Sequence, residues 1–297
     1  MRAWFSPRYV VAAGSESFPT AKFAQTARLL LAADALGPPG VVEPDLPDAS
    51  ELLRAHTPAW VGKAVSGGLT AEEEKLLGLR WSPALSVAHR LCVRGTLEAC
   101  RDALRGGLGL HVGGGSHHAF ADRGAGFCLL NDLAAALLQL QAERKVARAA
   151  VVDLDVHQGD GTAAILAGRE GLMTFSMHQG DLYPEKKGAS TRDVALPAGT
   201  GDAKYLKILE EELAAFLARR PELVLYQAGV DVWEGDLLGA LALTADGVAA
   251  RDRLVFRLCR ERGIPVAVTL GGGYSEKSGE TAALHARTLL TGIEVMG

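Results

Sequence analysis

The chain has 297 residues, 48% of them hydrophobic, enough for the core of one large α/β domain or two small ones. Its formal net charge of -4, with no concentrated Lys/Arg patch, argues against nucleic-acid binding. Four scattered cysteines (Cys92, Cys100, Cys128, Cys259) form no CxxC pair, which argues against a disulfide framework and a thiolate zinc site and points to a reducing cytoplasm.

The segment Met1 to Arg8 lacks an apolar run of signal-peptide length, and no later run approaches a membrane span, so a soluble, unprocessed chain is expected. Residues 2 to 5 and Tyr9-Val10-Val11 read as short strand pieces. Ser17-Phe18-Pro19-Thr20 can start a helix through Ala21 to Ala33, which Gly37-Pro38-Pro39-Gly40 ends. Ser50 reads as an N-cap ahead of Glu51-Leu52-Leu53. Thr70 is an N-cap with acids in the following turn. Trp81-Ser82-Pro83 opens a helix to Leu104, closed by Gly106-Gly107.

From residue 108 strands alternate with helices. Strands are expected over Leu108 to Val112, Ala149 to Leu154, Leu172 to Met177, Glu222 to Gln227 and Ile264 to Leu270. Helices are expected over Leu130 to Ala142, Thr162 to Gly168, Ala203 to Ala218, Ala245 to Arg262 and Ser278 to Leu290. This rhythm predicts a mostly parallel sheet with helices on both faces, and ligands then sit beyond the carboxyl ends of the strands.

Those ends carry the chemistry. Gly113-Gly114-Gly115-Ser116-His117-His118 follows the first of these strands, and Asp153-Leu154-Asp155-Val156-His157 leaves the second. Asp153, Asp155 and His157 share a face if the extended backbone continues to residue 157. A divalent cation is the simplest partner for two buried acids beside a histidine, the alternative being a capping and salt-bridge cluster. Asp231 after the Glu222 to Gln227 strand would be the third ligand, or else a helix cap. Three protein ligands leave an open coordination position, as in catalytic zinc sites. Asp153 and Asp160 are available as partners of His117 and His118, and Tyr274 after Gly271-Gly272-Gly273 suits an oxyanion donor. The single histidines His56, His89, His111 and His285 read as structural. The glycines at 113 to 115 lack the spacing and helix start of a nucleotide-phosphate loop.

Together the motifs GGGSHHA (113 to 119), GFCLLND (126 to 132), DLDVHQGDGT (153 to 162), SMHQGDLYP (176 to 184), QAGVD (227 to 231) and GGGY (271 to 274) resemble the zinc-dependent histone deacetylase family, acetylpolyamine amidohydrolases and acetoin-utilisation proteins included. Phe18-Pro19-Thr20-Ala21-Lys22, Trp81-Ser82-Pro83 and Glu234 to Gly239 are most similar to class IV and its bacterial relatives. The resemblance implies one domain over residues 1 to 297 with an arginase-like three-layer α/β fold and about eight strands. It implies zinc, with ferrous iron as the alternative, on Asp155, His157 and Asp231. His117 with Asp153 and His118 with Asp160 would form a dyad, and Tyr274 the oxyanion donor. Gly126, Phe127, Tyr183 and Leu238 would line a substrate channel, with Glu185-Lys186-Lys187 adding polarity at its rim. A structural potassium or sodium ion would sit at Asp153, Asp155, His157, Ser176 and Met177. The implied substrates are acyl-lysine proteins or peptides, or small amines such as acetylpolyamines. A non-catalytic acyl-lysine binding module and an arginase-like ureohydrolase with paired manganese are the competing readings. In the second, Gln158-Gly159-Asp160 is one residue too long for the Asp-Ala-His-x-Asp spacing.

Overall fold

The structure is a computed structural model and describes residues 1–11 and 19–297. Strand β1 (Ala3–Trp4) is followed by α1 (Ala21–Ala32), β2 (Val41–Val42), α2 (Ala49–Leu52), α3 (Pro58–Ser66), α4 (Ala71–Leu77) and α5 (Pro83–Gly106). The alternating part comprises β3 (Leu108–His111), α6 (Asp132–Ala142), β4 (Ala149–Asp153), α7 (Asp160–Leu166) and β5 (Leu172–Gln179). It continues with β6 (Arg192–Leu196), α8 (Asp202–Leu217), β7 (Val224–Gln227), α9 (Ala245–Arg260), β8 (Val266–Thr269) and α10 (Ser278–Met296).

Among the described residues, eight strands pair in parallel in the order β2-β1-β3-β8-β7-β4-β5-β6. The central strands are buried on both faces, which is why they read as apolar runs without alternation. Successive side chains nevertheless serve different cores. Ala150 and Val152 of β4, Val224 and Tyr226 of β7, and Val266 and Val268 of β8 join residues of α1, α8, α9 and α10. Ala149, Val151, Leu225 and Ala267 join residues of α3 to α7 on the other face. Each fully buried Val, Leu or Phe contributes about 1.5–3 kcal/mol, so this double face fixes the strand register. It also brings the carboxyl ends of β3, β8, β7, β4 and β5 side by side.

Local signals explain most boundaries. Thr70 and Glu73 form a reciprocal capping box at α4, with Thr70 Oγ1 accepting from Glu73 N at 3.2 Å and Glu73 Oε2 from Thr70 N at 2.8 Å. Ser82 caps α5, whose first residue is Pro83. Elsewhere the structure departs from expectation. Pro7–Tyr9 is a short 3-10 turn begun by Ser6 and Pro7, where a strand piece was expected. The cap of α2 is Asp48, whose N–H donates to Glu51 Oε2 at 3.0 Å, and Ser50 lies inside the helix. Asn131 caps α6, so that helix begins at Asp132, and Gly159 precedes α7, which begins at Asp160. Strands β2 and β6 carried no recognisable signal. The expected helix start at Ser17 and Phe18 lies outside the described residues; α1 itself runs from Ala21. Among the described residues no helix is long and apolar enough to cross a membrane.

Candidate metal centre and catalytic pocket

Strand β4 ends at Asp153, so extended backbone does not carry Asp155 and His157 to the site as expected. A hydrogen-bonded loop does. Asp155 N donates to Asp153 Oδ1 at 3.1 Å, and His157 N to Asp155 Oδ1 at 3.0 Å. Two neighbouring strand exits lock it: Val156 N donates to Asp231 Oδ1 at 2.8 Å and Gly272 N to Asp155 Oδ2 at 2.9 Å. Both carboxylates are thereby oriented by main-chain N–H groups of other loops.

Asp155, His157 and Asp231 converge as a result. One donor atom from each lies within 4.8 Å of the others, and all three residues are buried. His157 Nδ1 faces Asp155 Oδ1 at 3.1 Å and Asp231 Oδ2 at 3.2 Å. Two acids and an imidazole packed this closely suit a hard or borderline divalent cation, and zinc and ferrous iron both accept this donor set. Glycines make the packing possible. A Cβ on Gly272 would lie 2.0 Å from Asp231 Oδ2, and one on Gly229 2.3 Å from Asp155 Oδ2.

The two adjacent histidines stand beside this group with ring centroids 4.0 Å apart. His117 Nδ1 lies 2.7 Å from Asp153 Oδ2, and His118 Nδ1 lies 2.8 Å from Asp160 Oδ1. His117 Nε2 is 3.8 Å from Asp155 Oδ1, which places the dyad against the candidate ligands. Their electrostatics diverge. Burial opposes a charge on His117, but Asp153 and Asp155 outweigh it and raise the imidazole to about 9. His118 goes the other way, down to about 4, through burial and the neighbouring His117. Burial, and then Asp155 and Asp231, hold the Tyr274 phenol well above its ordinary range, so it remains a hydrogen-bond donor. These directions belong to the protein without a cation; a dication at the triad lowers all three.

Tyr274 is placed by its backbone: its N donates to Asp236 Oδ2 at 2.7 Å and its carbonyl accepts from Leu237 N at 2.9 Å. The ammonium of Lys22 lies 5.1 Å above its ring and donates to the carbonyls of Gly271 and Gly273 at 2.9 and 3.0 Å.

Above the histidines lies a cavity of roughly 330 Å³ lined by Leu76, Gly78, His118, Gly126, Phe127, His157, Leu182, Tyr183 and Leu238. The four expected channel residues all line it. Tyr183 meets the His118 ring edge to face at 4.8 Å. Phe127 adopts a left-handed φ of 67°, held by its N–H to Leu77 O at 2.8 Å, a conformation rare for an aromatic residue. Leu76, Tyr183 and Leu238 are 51%, 43% and 36% exposed, so the mouth is apolar. Lys187 donates to the carbonyls of Leu182 and Pro184, on either side of Tyr183. A larger cleft of about 570 Å³, lined by Leu217, Arg220, Glu222 and Ile264, lies at the opposite end of the sheet, away from this chemistry.

The remaining expected site residues, Ser176 and Met177, are buried in β5, where Asp153 pairs with Ser176, and Ser176 Oγ lies 2.9 Å from His178 Nδ1. Two supporting groups lie in the motifs at 126 to 132 and 227 to 231, where the sequence alone assigns them no role. Asp132 Oδ2 accepts from Thr96 Oγ1 at 2.5 Å and from Gly115 N at 2.9 Å, while Oδ1 accepts from Ser116 N at 2.7 Å. It thereby fixes the glycine loop that delivers His117. Gln227 donates to Gly115 O at 2.9 Å and accepts from Thr269 Oγ1 at 2.8 Å. Asp132 had a sequence signal, an acid at the start of an otherwise apolar helix, but one equally suited to a helix dipole. His56 is structural as expected: its Nε2 accepts from Asn131 N at 2.9 Å and its Nδ1 lies 3.0 Å from Phe120 O. His111 lies between Tyr9 and Thr96 in the same buried network as Asp132.

Known proteins resemble this chain in sequence and fold. A family model described as histone deacetylase domain matches residues 17–290. The chain is 40% identical over 284 residues to an uncharacterized protein of Picosynechococcus sp., covering 95% of each. It is 30% identical to Histone deacetylase 2 of Arabidopsis thaliana, over 90% of this chain and 71% of that one. It is also 30% identical to the acetoin utilization protein AcuC of Bacillus subtilis, over 78% and 66% respectively. The crystal structure of the HDA15 HD domain superposes with a TM-score of 0.78 at 22% identity, covering 100% of this chain and 96% of that one, a likeness of fold.

Proposed function

Because the chain belongs to the histone deacetylase family, we propose that it is a metal-dependent amidohydrolase that removes acetyl or longer acyl groups from lysine side chains or related amines. One observation carries the proposal: three buried ligand candidates and two carboxylate-backed histidines come together beneath one apolar channel, whose lining includes His118 and His157. Asp155, His157 and Asp231 would hold zinc, or ferrous iron. A divalent ion held there supplies Lewis acidity toward the acyl carbonyl and acidifies water.

The chain's own groups do the rest. The apolar walls formed by Phe127, Tyr183 and Leu238 accept the methylene stem of a lysine and orient the amide. That orientation replaces a bimolecular encounter by an effectively intramolecular one. His118, neutral and oriented by Asp160, takes a proton from the attacking water. Tyr274 donates to the oxygen that gains charge as the carbonyl becomes tetrahedral. His117, which Asp153 favours in its charged form, supports the return of a proton to the departing amine. Without that proton the amine is a poor leaving group.

The Trp81-Ser82-Pro83 and Glu234 to Gly239 stretches support a place near class IV within the family. A structural potassium or sodium ion at Asp153, Asp155, His157, Ser176 and Met177 belongs to the same proposal, supported by the pairing of β4 with β5. So does a cytoplasmic setting, supported by four cysteines that are all unpaired thiols.

The test is a panel of acyl-lysine peptides and acetylpolyamines, assayed with protein loaded with zinc or ferrous iron. Acyl release from at least one acylated amine is expected. Tight binding of acyl-lysine without turnover under any metal would instead establish a binding module.

A further inference from the structure

Helix α9 carries a fully buried ion pair that the proposed reaction does not use. The Arg251 and Asp252 side chains are both 0% exposed and paired, with Arg251 Nε donating to Asp252 Oδ1 at 2.9 Å and Nη2 lying 2.8 Å from the same oxygen without hydrogen-bond geometry. Asp252 is anchored from two further elements: Tyr226 of β7 donates to its Oδ1 at 2.5 Å and Thr288 of α10 to its Oδ2 at 2.6 Å. The remaining arm of the guanidinium reaches the sheet. Its Nη1 donates to Gly229 O at 2.6 Å and to Leu154 O at 3.2 Å.

These two carbonyls are not arbitrary points on the backbone. Leu154 immediately precedes Asp155 at the exit of β4, and Gly229 stands two residues before Asp231 at the exit of β7. The two loops touch here, since a Cβ on Gly229 would lie 2.3 Å from Asp155 Oδ2. The carboxylates they carry repel each other when both are charged and no cation lies between them. Leu154 N to Gln227 O at 3.0 Å and Val156 N to Asp231 Oδ1 at 2.8 Å tie the two exits, and the guanidinium adds a further tie from the helix layer. One guanidinium nitrogen is bonded to both carbonyls and so bridges the two loops. Because Asp252 balances its charge, the pair supplies this constraint with little net field at the cation site.

We infer that Arg251 is a positioning residue for the metal centre, acting through the Leu154 and Gly229 carbonyls to preset the spacing of Asp155 and Asp231. The inference rests on the reading of those two residues as cation ligands. Lysine is not an equivalent substitute, because one ammonium cannot serve Asp252 and both carbonyls with the geometry of a planar fork.

The test is zinc affinity of the metal-stripped full-length protein, measured by competition with a chromophoric chelator, alongside urea unfolding of the same samples. Arg251→Gln combined with Asp252→Asn removes the pair without leaving a lone buried charge. It is expected to weaken zinc binding by about 10- to 100-fold, the range for groups that orient metal ligands. Arg251→Lys is expected to keep the fold and to lose affinity to a smaller extent. Leu213→Ala, which opens a cavity in the same core away from the ligand loops, is expected to lose stability but keep wild-type zinc affinity. Wild-type affinity in the double variant overturns the inference. So does an equal loss in Leu213→Ala, since general loosening would then account for the effect. Should the double variant fail to fold, wild-type affinity in Arg251→Lys overturns it. If the unaltered protein takes up no zinc or ferrous iron, it is the cation reading of Asp155, His157 and Asp231 that fails.

Discussion

Tyr274→Phe is expected to lower kcat by about 10²- to 10³-fold, with KM and thermal stability close to wild type. The phenol is buried and held protonated, so its hydroxyl can donate to an oxygen that becomes charged only as the reaction proceeds. An interaction made only in the transition state reduces kcat when it is removed, whereas one made equally with the substrate raises KM. The backbone contacts that place residue 274, with Asp236 and Leu237, survive the substitution. Steady-state kinetics on an acyl-lysine peptide separate the two cases. Unchanged kcat in the phenylalanine variant would remove Tyr274 from the chemistry.

Asp231→Asn is expected to have effects of opposite sign with and without metal. In the metal-free protein the Asp231 carboxyl is pushed up to about 7, by burial first and by Asp155 second. The folded state therefore binds this proton more tightly than the unfolded chain, whose aspartates titrate near 4. The stability it contributes is fully present below about pH 4 and is lost as pH rises through about 7. Asparagine keeps an oxygen for Val156 N and carries no charge, so the metal-free variant should equal the parent in acid and exceed it at pH 8. Zinc should reverse the order. Ligand binding to the folded state alone adds RT ln(1 + [L]/Kd), about 4 kcal/mol at a thousandfold excess over Kd. The parent gains this and the variant, short of one ligand, gains little, with its activity lost. Urea unfolding at two pH values, with and without zinc, measures all four corners. A variant stabilised by zinc as much as the parent would take Asp231 out of the ligand set.

Much of this was legible in the sequence because buried charge is costly and therefore conspicuous. Asp153 and Asp155 stand at the end of an apolar run, and two adjacent histidines follow Gly113 to Ser116; each pattern invites a functional explanation before any fold is known. The parallel sheet was legible for a related reason, since strands covered on both faces lack polar alternation. What stayed hidden depends on contacts distant in the chain. Arg251 belongs to an amphipathic helix rich in arginine, and nothing local separates the one guanidinium that turns inward from those on the surface. Asp132 could be read as a favourable helix-start acid. Strand β6, Arg-Asp-Val-Ala-Leu at the edge of the sheet, is only half apolar and pairs on one side alone. The route to His157 was misjudged too: a loop of side-chain to main-chain hydrogen bonds does what continued strand was expected to do.

The most direct test of a single-cation hydrolytic centre is to titrate metal into the stripped protein and follow acyl release from the best acylated amine of the panel. Activity should rise in proportion to added zinc or ferrous iron and level off at one equivalent per chain. A break at two equivalents would indicate the paired-metal chemistry of an arginase-like enzyme, and activity indifferent to metal would contradict a cation at Asp155, His157 and Asp231.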